Sequence, residues 1–193
     1  MSVHFIALDE TGKDTGLKLE IEDVHGPHSR QDLYCGNSHI WIYNSKGEVL
    51  LQKRSATIRN YPNRWDISAA GHIDYGETPI HATMRELKEE VGLSVAENQL
   101  EFLKVRKDAV LIKPGDWRHN EFVWIYLFKV DKPTKDFILQ TDEVHSVKWL
   151  SLEQFDKEIH DKVLAETYVP HGEYYDFIIK EIKKRTGKGK NEL

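Results

Sequence analysis

The sequence predicts an α/β fold in which helices cover a mixed β-sheet. Two observations predict this class: short β-rich runs bounded by turn residues recur along the chain, and amphipathic helical segments are interleaved with them. Of the 193 residues, 39% are hydrophobic and 31% are charged, which is ordinary for a globular protein with its own core. We therefore expect one domain over residues 1–184 and a polar C-terminal tail over residues 185–193.

The N-terminal part of the chain is predicted to be a hairpin. Two β-rich runs, residues 3–8 and 17–24, flank a polar turn at residues 9–12. The polar stretch that follows, residues 23–33, contains glycine and proline and is expected to be a surface loop. Residues 1–34 therefore form a hairpin and a loop in this interpretation.

A second hairpin is predicted immediately downstream. Residues 39–43 and 49–53 are rich in β-branched and aromatic side chains, and the turn between them, residues 44–47, contains a glycine. Residues 65–73 should then form short strands, because small side chains interrupt the β-rich pattern.

The clearest helix is predicted over Pro79–Val91. Thr78 suits the N-cap, proline is favoured at the first helical position, and Gly92 supplies the residue that ends the helix. Ser151, with Gln154 three residues later, has the capping-box pattern of a second helix. A last helix is expected over residues 174–183, and the remaining β-rich runs predict strands over residues 100–110, 121–130 and 144–150.

Composition excludes several classes of protein. The net charge of −5 argues against an extended nucleic-acid-binding surface. The longest apolar run, residues 122–128, is too short for a membrane span, and residues 1–10 lack the pattern of a secretory signal. The single cysteine, Cys35, rules out an internal disulfide framework. These features predict a cytoplasmic protein with no membrane partner.

Three carboxylates lie close together on the predicted helix. At about 100° per residue, Glu86, Glu89 and Glu90 share one side of the helix about 100° wide, and Arg85 falls outside that side. Like charges at this spacing repel one another, and a divalent cation such as Mg²⁺ or Mn²⁺ reverses that contribution. The alternative is a solvated acidic face. The apolar residues form a separate stripe: Ile80, Met84, Leu87 and Val91.

The residues around this cluster follow a specific spacing. The segment 71–93 reads Gly71, five residues, Glu77, seven residues, Arg85-Glu86-Leu87, one residue, Glu89-Glu90, one residue, Gly92-Leu93. This pattern fills every fixed position of the Nudix box, and the segment resembles that of the Nudix hydrolase superfamily.

The resemblance implies both a fold and a metal site. The fold is an α/β/α sandwich with a mixed sheet, and the box forms a strand-loop-helix-loop unit within it. By the roles of the family, Glu86, Glu89 and Glu90 bind Mg²⁺ or Mn²⁺, and the Gly71 carbonyl is a further candidate ligand. The structural positions of the motif are Glu77 and Arg85, which pair with each other, and Gly92.

Residues outside the box are candidates for completing the site. Glu143 precedes the strand predicted over residues 144–150, and Glu121 opens another strand, so either could activate water, as could Glu89 or Glu90 within the box. Arg54 ends a strand and suits phosphate binding. The alternative for Glu143, Glu121 and Arg54 is an exposed position at a strand end. The ten histidines are scattered and are expected to lie mostly on the surface or in loops.

A wider part of the sequence is similar to the isopentenyl-diphosphate isomerase branch of this superfamily. The similarity covers residues 41–48, the Gln52-Lys53-Arg54 run, and the pair Gly71-His72. Those isomerases use a cysteine directly before the Gly-His pair, where this chain has Ala70, which cannot transfer a proton. The metal site of those isomerases is also incomplete in this chain. His72 and Glu121 match two of its ligands, whereas Cys35 stands where a histidine is expected.

The predicted function is therefore hydrolysis of a phosphoanhydride. The expected enzyme is a metal-dependent hydrolase that cleaves a diphosphate bond in a nucleoside diphosphate, or in a nucleoside diphosphate linked to another moiety. Two alternatives stay open: an enzyme like the isopentenyl-diphosphate isomerases, and a catalytically silent sensor that binds a nucleotide. Homodimers are common in the superfamily, so a homodimer is compatible with the resemblance.

Overall fold

A computed structural model describes residues 4–24, 30, 32–111 and 118–187. Nine strands and four α-helices are described in these ranges. No described helix is both long enough and apolar enough to cross a membrane. The strands are β1 (Phe5–Leu8), β2 (Asp14–Leu19), β3 (Tyr34–Tyr43), β4 (Glu48–Arg54), β5 (Trp65–Asp66), β6 (Ala69–His72), β7 (Leu100–Leu111), β8 (Arg118–Lys129) and β9 (Val144–Ser151). The helices are α1 (Ile21–Val24), α2 (Pro79–Val91), α3 (Leu152–His160) and α4 (Glu173–Thr186).

Strand β3 is the centre of a mixed sheet. It pairs antiparallel with β1, β4 and β6, and parallel with β8, where Cys35 lies opposite Glu121 and Tyr43 opposite Lys129. Strand β4 continues the sheet by pairing antiparallel with β5 and β9, and β7 pairs antiparallel with β8. The short strand β6 lies on β3, with Gly71 opposite Ser38, and this pairing places the start of the box beside the central strand.

Helices cover both faces of this sheet, so the predicted α/β/α sandwich is confirmed. Successive side chains of a strand point to opposite faces. On β3, Trp41 packs with Phe155 of α3 and Tyr175 of α4, whereas its neighbour Ile42 belongs to the core that contains Leu87 of α2. Helix α2 therefore lies on the face opposite α3 and α4.

The local signals for the helices are confirmed. Thr78 Oγ1 accepts a hydrogen bond from the His81 amide at 3.4 Å, and Gly92 ends α2 in the left-handed conformation, with φ at 68°. Ser151 Oγ accepts from the Gln154 amide at 3.1 Å and caps α3. The short strands predicted over residues 65–73 are β5 and β6.

Several predicted boundaries are wrong. The strand expected over residues 17–24 runs instead over Asp14–Leu19, and α1 follows it. Helix α4 extends to Thr186, so Arg185 belongs to the helix and not to the predicted polar tail; its guanidinium binds Glu101 on β7 and Glu181 on α4. Parts of the predicted loop over residues 23–33, and residues 188–193 of the tail, lie outside the described residues.

Candidate active site

One strand-loop-helix unit, β6 to α2, builds the site. Helix α2 is fixed on the sheet by two buried hydroxyl groups, Ser38 Oγ on β3 and Thr83 Oγ1 on the helix, which lie 2.5 Å apart. The apolar contacts of Leu87 and Val91 hold the same face of the helix in the core. Because β6 pairs with β3 beneath the helix, its backbone lies against the acidic residues of α2.

Gly71 on β6 lies in contact with the Glu86 carboxylate. A Cβ atom on residue 71 would lie 2.0 Å from Glu86 Oε1, so only glycine leaves room for this carboxylate. Glu86 is 7% exposed. Burial raises the pKa of Glu86 to about 7, although the positive charge of Arg85 beside it acts in the opposite direction.

Glu90 is the second buried carboxylate of the helix, at 3% exposure. Its Oε2 accepts hydrogen bonds from the Ala70 amide at 3.0 Å and from Gln52 Nε2 at 3.3 Å. Burial raises the pKa of Glu90 well above its ordinary value, and the neighbouring Glu86 adds to this shift. Two ionised carboxylates held this way are unfavourable unless a cation compensates them.

The predicted pair of Glu77 and Arg85 is present in the structure, and Arg85 does more than the helical wheel indicated. Its guanidinium binds both Glu77 oxygens, at 3.1 and 2.9 Å, and donates to the His72 carbonyl at 2.9 Å. The same side chain also reaches Glu86 at 2.6 Å and Glu89 at 3.2 Å. By angle Arg85 lies outside the acidic side of the helix, as predicted, but its i,i+4 spacing from Glu89 and the length of its side chain bring the guanidinium to two of the three carboxylates.

The burial of the acidic cluster also differs from what the helical wheel predicts. The wheel presents Glu86, Glu89 and Glu90 as one face separate from the apolar stripe, yet only Glu89 is exposed. Strand β6 and Gln52 of β4 cover the other two carboxylates, and the wheel contains no information about those neighbours.

The candidate residues outside the box line the same cavity, which has a volume of about 580 Å³. Glu143 lies at its rim, close enough to Glu86 and Glu90 for its negative charge to raise the pKa of both. Glu121 accepts from Asn37 Nδ2 at 2.7 Å, and its charge acts on Cys35 and other groups away from the box. Arg54 donates from Nη1 to Asp66 Oδ2 at 2.9 Å and from Nε to the Asn60 carbonyl at 3.0 Å.

Histidines in the cavity wall were missed by the sequence interpretation. His39 on β3 is 7% exposed, and burial lowers its pKa to about 4, so it is neutral near pH 7. His171, in the segment before α4, lines the cavity with Nε2 2.8 Å from Asp66 Oδ1. No local sequence signal marks His171 and Asp66 as partners, because 105 positions separate them.

The residues that resemble ligands of the isomerase metal site also come together. Cys35, His72 and Glu121 each place one ligand atom within 4.8 Å of the others. A thiol binds metal as the thiolate. Burial raises the pKa of the Cys35 thiol well above its ordinary value, and the negative charge of Glu121 adds to this shift. This trio is therefore a poorer set of donors for a hard cation than the carboxylates of the box.

The box residues fit a divalent cation. Their donor set consists of carboxylate oxygens, which Mg²⁺ and Mn²⁺ prefer. The space that a side chain on residue 71 would occupy is filled by the Glu86 carboxylate, and the nearby Glu90 is held by hydrogen bonds at one oxygen only. By this chemistry Glu86, Glu89 and Glu90 are the side chains that could hold such an ion.

The fold and the site define the class: an α/β/α sandwich whose strand-loop-helix unit directs buried carboxylates into a cavity. Residues 36–168 match the family model described as the NUDIX domain, which is more than half of the chain. The chain belongs to the NUDIX domain family, and the resemblance seen in its sequence is confirmed.

Related proteins carry hydrolase and isomerase names. "Nudix hydrolase 3" of Arabidopsis thaliana is 33% identical over 177 residues, covering 89% of this chain and 22% of that protein. An isopentenyl-diphosphate Delta-isomerase of Serratia proteamaculans is 30% identical over 119 residues, covering 62% of this chain and 63% of the other. The chain thus spans less than two thirds of the length of both relatives.

A solved structure supports the same fold. The protein DR0079 of Deinococcus radiodurans superimposes with a TM-score of 0.66 at 17% sequence identity, covering 93% of this chain and 98% of the other. At that identity the likeness concerns the arrangement of strands and helices.

Proposed function

We propose that this chain is a Mg²⁺- or Mn²⁺-dependent hydrolase of a phosphoanhydride bond, in a nucleoside diphosphate or in a nucleoside diphosphate linked to another moiety. The observation that carries the proposal is the pair of buried carboxylates, Glu86 and Glu90, in one cavity beside Gly71. Bound cations would neutralise the diphosphate oxygens and acidify a water molecule. Family membership supports hydrolysis, since relatives carry that name.

Glu143 is the better candidate for the residue that activates water. Each of the two accepts from a side-chain amide, Glu143 from Gln140 Nε2 at 3.1 Å and Glu121 from Asn37 Nδ2 at 2.7 Å. They differ in position: the charge of Glu143 acts on Glu86 and Glu90, whereas Glu121 lies with Cys35 and His72. A general base must lie within hydrogen-bond reach of the water it deprotonates. Glu143 therefore has the role of base in this proposal, with Glu89 as the alternative, and Arg54 contacts the substrate phosphates.

Prenyl isomerisation is disfavoured by the residue at position 70. Ala70 lines the cavity directly before Gly71, and its methyl side chain can neither donate nor accept a proton. Its backbone amide is committed to Glu90. Solvent deuterium entering isopentenyl diphosphate would contradict this point.

The proposal is tested with a panel of ADP, ADP-glucose and isopentenyl diphosphate. Release of phosphate or of AMP is followed with Mg²⁺, with Mn²⁺ and with a chelator. We expect turnover of at least one nucleotide with metal, and loss of that turnover with the chelator. A protein that binds nucleotide tightly with metal but releases no product would instead be a sensor.

Metal binding should also raise thermal stability. Filling the site at a metal concentration about 100 times Kd stabilises the folded state by about 2.7 kcal/mol. For a domain of this size that corresponds to an increase in Tm of roughly 5–10 °C. We expect this increase with Mn²⁺ for the wild type and for Glu97→Gln, an exposed acid beyond α2, and its loss for Glu90→Gln. An unchanged wild-type Tm would contradict the assignment of the metal site.

A further inference from the structure

Neighbouring positions of strands β4 and β5 place polar side chains on one face of the sheet. Gln52 of β4 contacts Glu90 and lies opposite Asp66 of β5. Arg54 follows Gln52 by two positions on β4. Side chains that are opposite one another in an antiparallel pair, or two positions apart on one strand, point to the same face. Arg54 and Asp66 therefore lie on the side of the sheet that carries the box carboxylates, and both line the cavity.

The charge of Arg54 reaches two parts of the candidate site. Burial raises the pKa of Glu90, a box carboxylate, and of Glu143, the proposed base. In both cases the positive charge of Arg54 acts in the opposite direction. A guanidinium in this position is placed for the phosphates of a substrate that the box carboxylates hold through a cation.

The guanidinium of Arg54 is held at two of its nitrogens. Nη1 donates to Asp66 Oδ2 at 2.9 Å, and Nε donates to the Asn60 carbonyl at 3.0 Å. Nη2 has no hydrogen-bond partner among the residues that the structure describes. The side chain is 23% exposed, so a ligand can reach it. The protein thus fixes one part of the guanidinium and leaves the third nitrogen available.

Asp66 offers acceptors only. It is 5% exposed, and its Oδ2 accepts from Arg54. Its Oδ1 accepts from the Ile67 amide and lies against His171 Nε2, each at 2.8 Å. Burial acts to raise the pKa of Asp66, but the hydrogen bond and charge of His171 and the charge of Arg54 outweigh it and lower that pKa to about 2. The carboxylate is therefore ionised at neutral pH, and Nε2 donates to it whether the imidazole ring is charged or neutral.

His171 holds the carboxylate of Asp66 from outside the strand pair. Its ring packs edge-on against Tyr174 and Tyr175, with ring centres 5.8 and 5.2 Å away. The Tyr175 hydroxyl donates at 2.8 Å to the Val169 carbonyl in the segment before α4. These contacts fix the ring, and through its Nε2 they fix the position of the carboxylate as well.

We propose that Asp66 is a positioning residue: with the support of His171, it orients the Arg54 guanidinium so that Nη2 binds a phosphate oxygen of the substrate. An arginine side chain loses rotational freedom when it binds a ligand, and holding it in place beforehand reduces that loss. The inference rests on the proposed hydrolysis and on the phosphate contact of Arg54 within it, and it assigns the residues that orient this contact.

Replacing Asp66 with asparagine separates its contacts. When the amide oxygen keeps the bonds at the Oδ1 position, the NH₂ group stands where Oδ2 accepted from Arg54, and two donors face each other. The reverse orientation sets the NH₂ group against the Ile67 amide, which always donates, and against His171. Asp66→Asn therefore releases Arg54 at nearly unchanged side-chain volume.

We expect Asp66→Asn to raise KM about tenfold for the nucleotide that the wild type cleaves best, as the loss of a charged hydrogen bond implies, and to change kcat less than about threefold. The Ki of inorganic pyrophosphate should rise by the same factor, because the contact is to phosphate. The Mn²⁺-induced increase in Tm should persist, since the box carboxylates are untouched. His171→Phe keeps an aromatic ring and should raise KM about threefold.

A double-mutant cycle separates positioning from a purely structural role. In an Arg54→Ala background, neither Asp66→Asn nor His171→Phe should raise KM further by more than about twofold, because no guanidinium is left to orient. Asp156→Asn is the matched control, since Asp156 also contacts a histidine but does not line the cavity. Its KM should stay within about twofold of the wild type. Chemical denaturation of each variant checks that it is folded.

Three results would overturn the inference: unchanged KM and Ki in both Asp66→Asn and His171→Phe, an unchanged KM in Arg54→Ala, or an equal increase in KM with and without Arg54, which indicates a structural role. Failure of the proposed function is distinct, because the wild type then binds ADP with metal and does not cleave it. The variants are in that case compared through their Kd for ADP, with the same non-additivity expected.

Discussion

Replacing Glu90 with glutamine should reduce metal-dependent diphosphate hydrolysis about 10³-fold, a loss of about 4 kcal/mol of transition-state stabilisation. Glu90 is 3% exposed, and its Oε2 already accepts from the Ala70 amide and Gln52 Nε2. The amide oxygen of glutamine can keep those contacts but removes a negative charge from the ion site. The measurement is kcat and kcat/KM with Mn²⁺ on the nucleotide that the wild type cleaves best.

The fold should survive this substitution. In the metal-free protein Glu90 is a carboxylate whose ionisation burial opposes, with Glu86 as a negatively charged neighbour. A neutral isostere removes that unfavourable interaction, so the free energy of unfolding without metal should not fall. A loss of activity with unchanged unfolding therefore separates a role in the ion site from a defect in folding.

Controls define what the loss means. Glu97→Gln makes the same chemical change at an exposed position and should stay within about twofold of the wild type, as expected for surface substitutions. Glu143→Gln should lose turnover while keeping the Mn²⁺-induced rise in Tm, because a base is not required to bind the ion. Turnover of Glu90→Gln within threefold of the wild type would exclude Glu90 from the ion site.

The elements set by local chemistry were accessible from the sequence. Thr78, Pro79 and Gly92 define both ends of α2 through capping, a fixed proline φ and a left-handed glycine, and all three depend on residues close in the chain. The box spacing is equally local. The position of α2 followed from its capping residues, and the identity of its candidate metal ligands followed from the box spacing.

Features that depend on distant parts of the chain were not accessible. The burial of Glu86 and Glu90 comes from strands β6 and β4, which a helical wheel does not represent. Arg85 and Glu89 are four positions apart and therefore neighbours on the helix surface, whereas the contact of Arg85 with the His72 carbonyl depends on the packing of β6 against the helix. Asp66 and His171 meet across 105 positions, so neither residue had a signal that distinguished it from a surface polar group.

The strand predicted over residues 17–24 shows a second limit of sequence-based prediction, the placing of element boundaries. The apolar residues from Leu17 onward were assigned to one strand, yet pairing with β1 ends at Leu19 opposite Phe5, and α1 begins at Ile21. Short apolar runs are ambiguous between strand and helix, and tertiary pairing decides between them. The error changed a boundary and left the site unaffected.

Replacing Gly71 of strand β6 with alanine should disable the candidate metal site by displacing the Glu86 carboxylate. The added methyl carbon would lie 2.0 Å from Oε1 and 2.2 Å from Cδ of Glu86, distances that no packed structure tolerates. The carboxylate must therefore move, and a displacement of about 1 Å in a catalytic group is enough to cost roughly 10²-fold in rate. Overpacking in a buried region should also lower the free energy of unfolding by about 1–3 kcal/mol.

A double variant shows whether this contact is the cause. Gly71 has no positive φ, so alanine introduces no backbone strain at this position, and the cost of Gly71→Ala should come from Glu86 alone. In a Glu86→Ala background the methyl group has space, and the same substitution should change the free energy of unfolding by less than about 0.5 kcal/mol. Activity should stay low in both backgrounds, because one lacks the ligand and the other displaces it. If chemical denaturation gave the same cost in both backgrounds, the close approach of residue 71 to Glu86 would not explain why glycine is needed there.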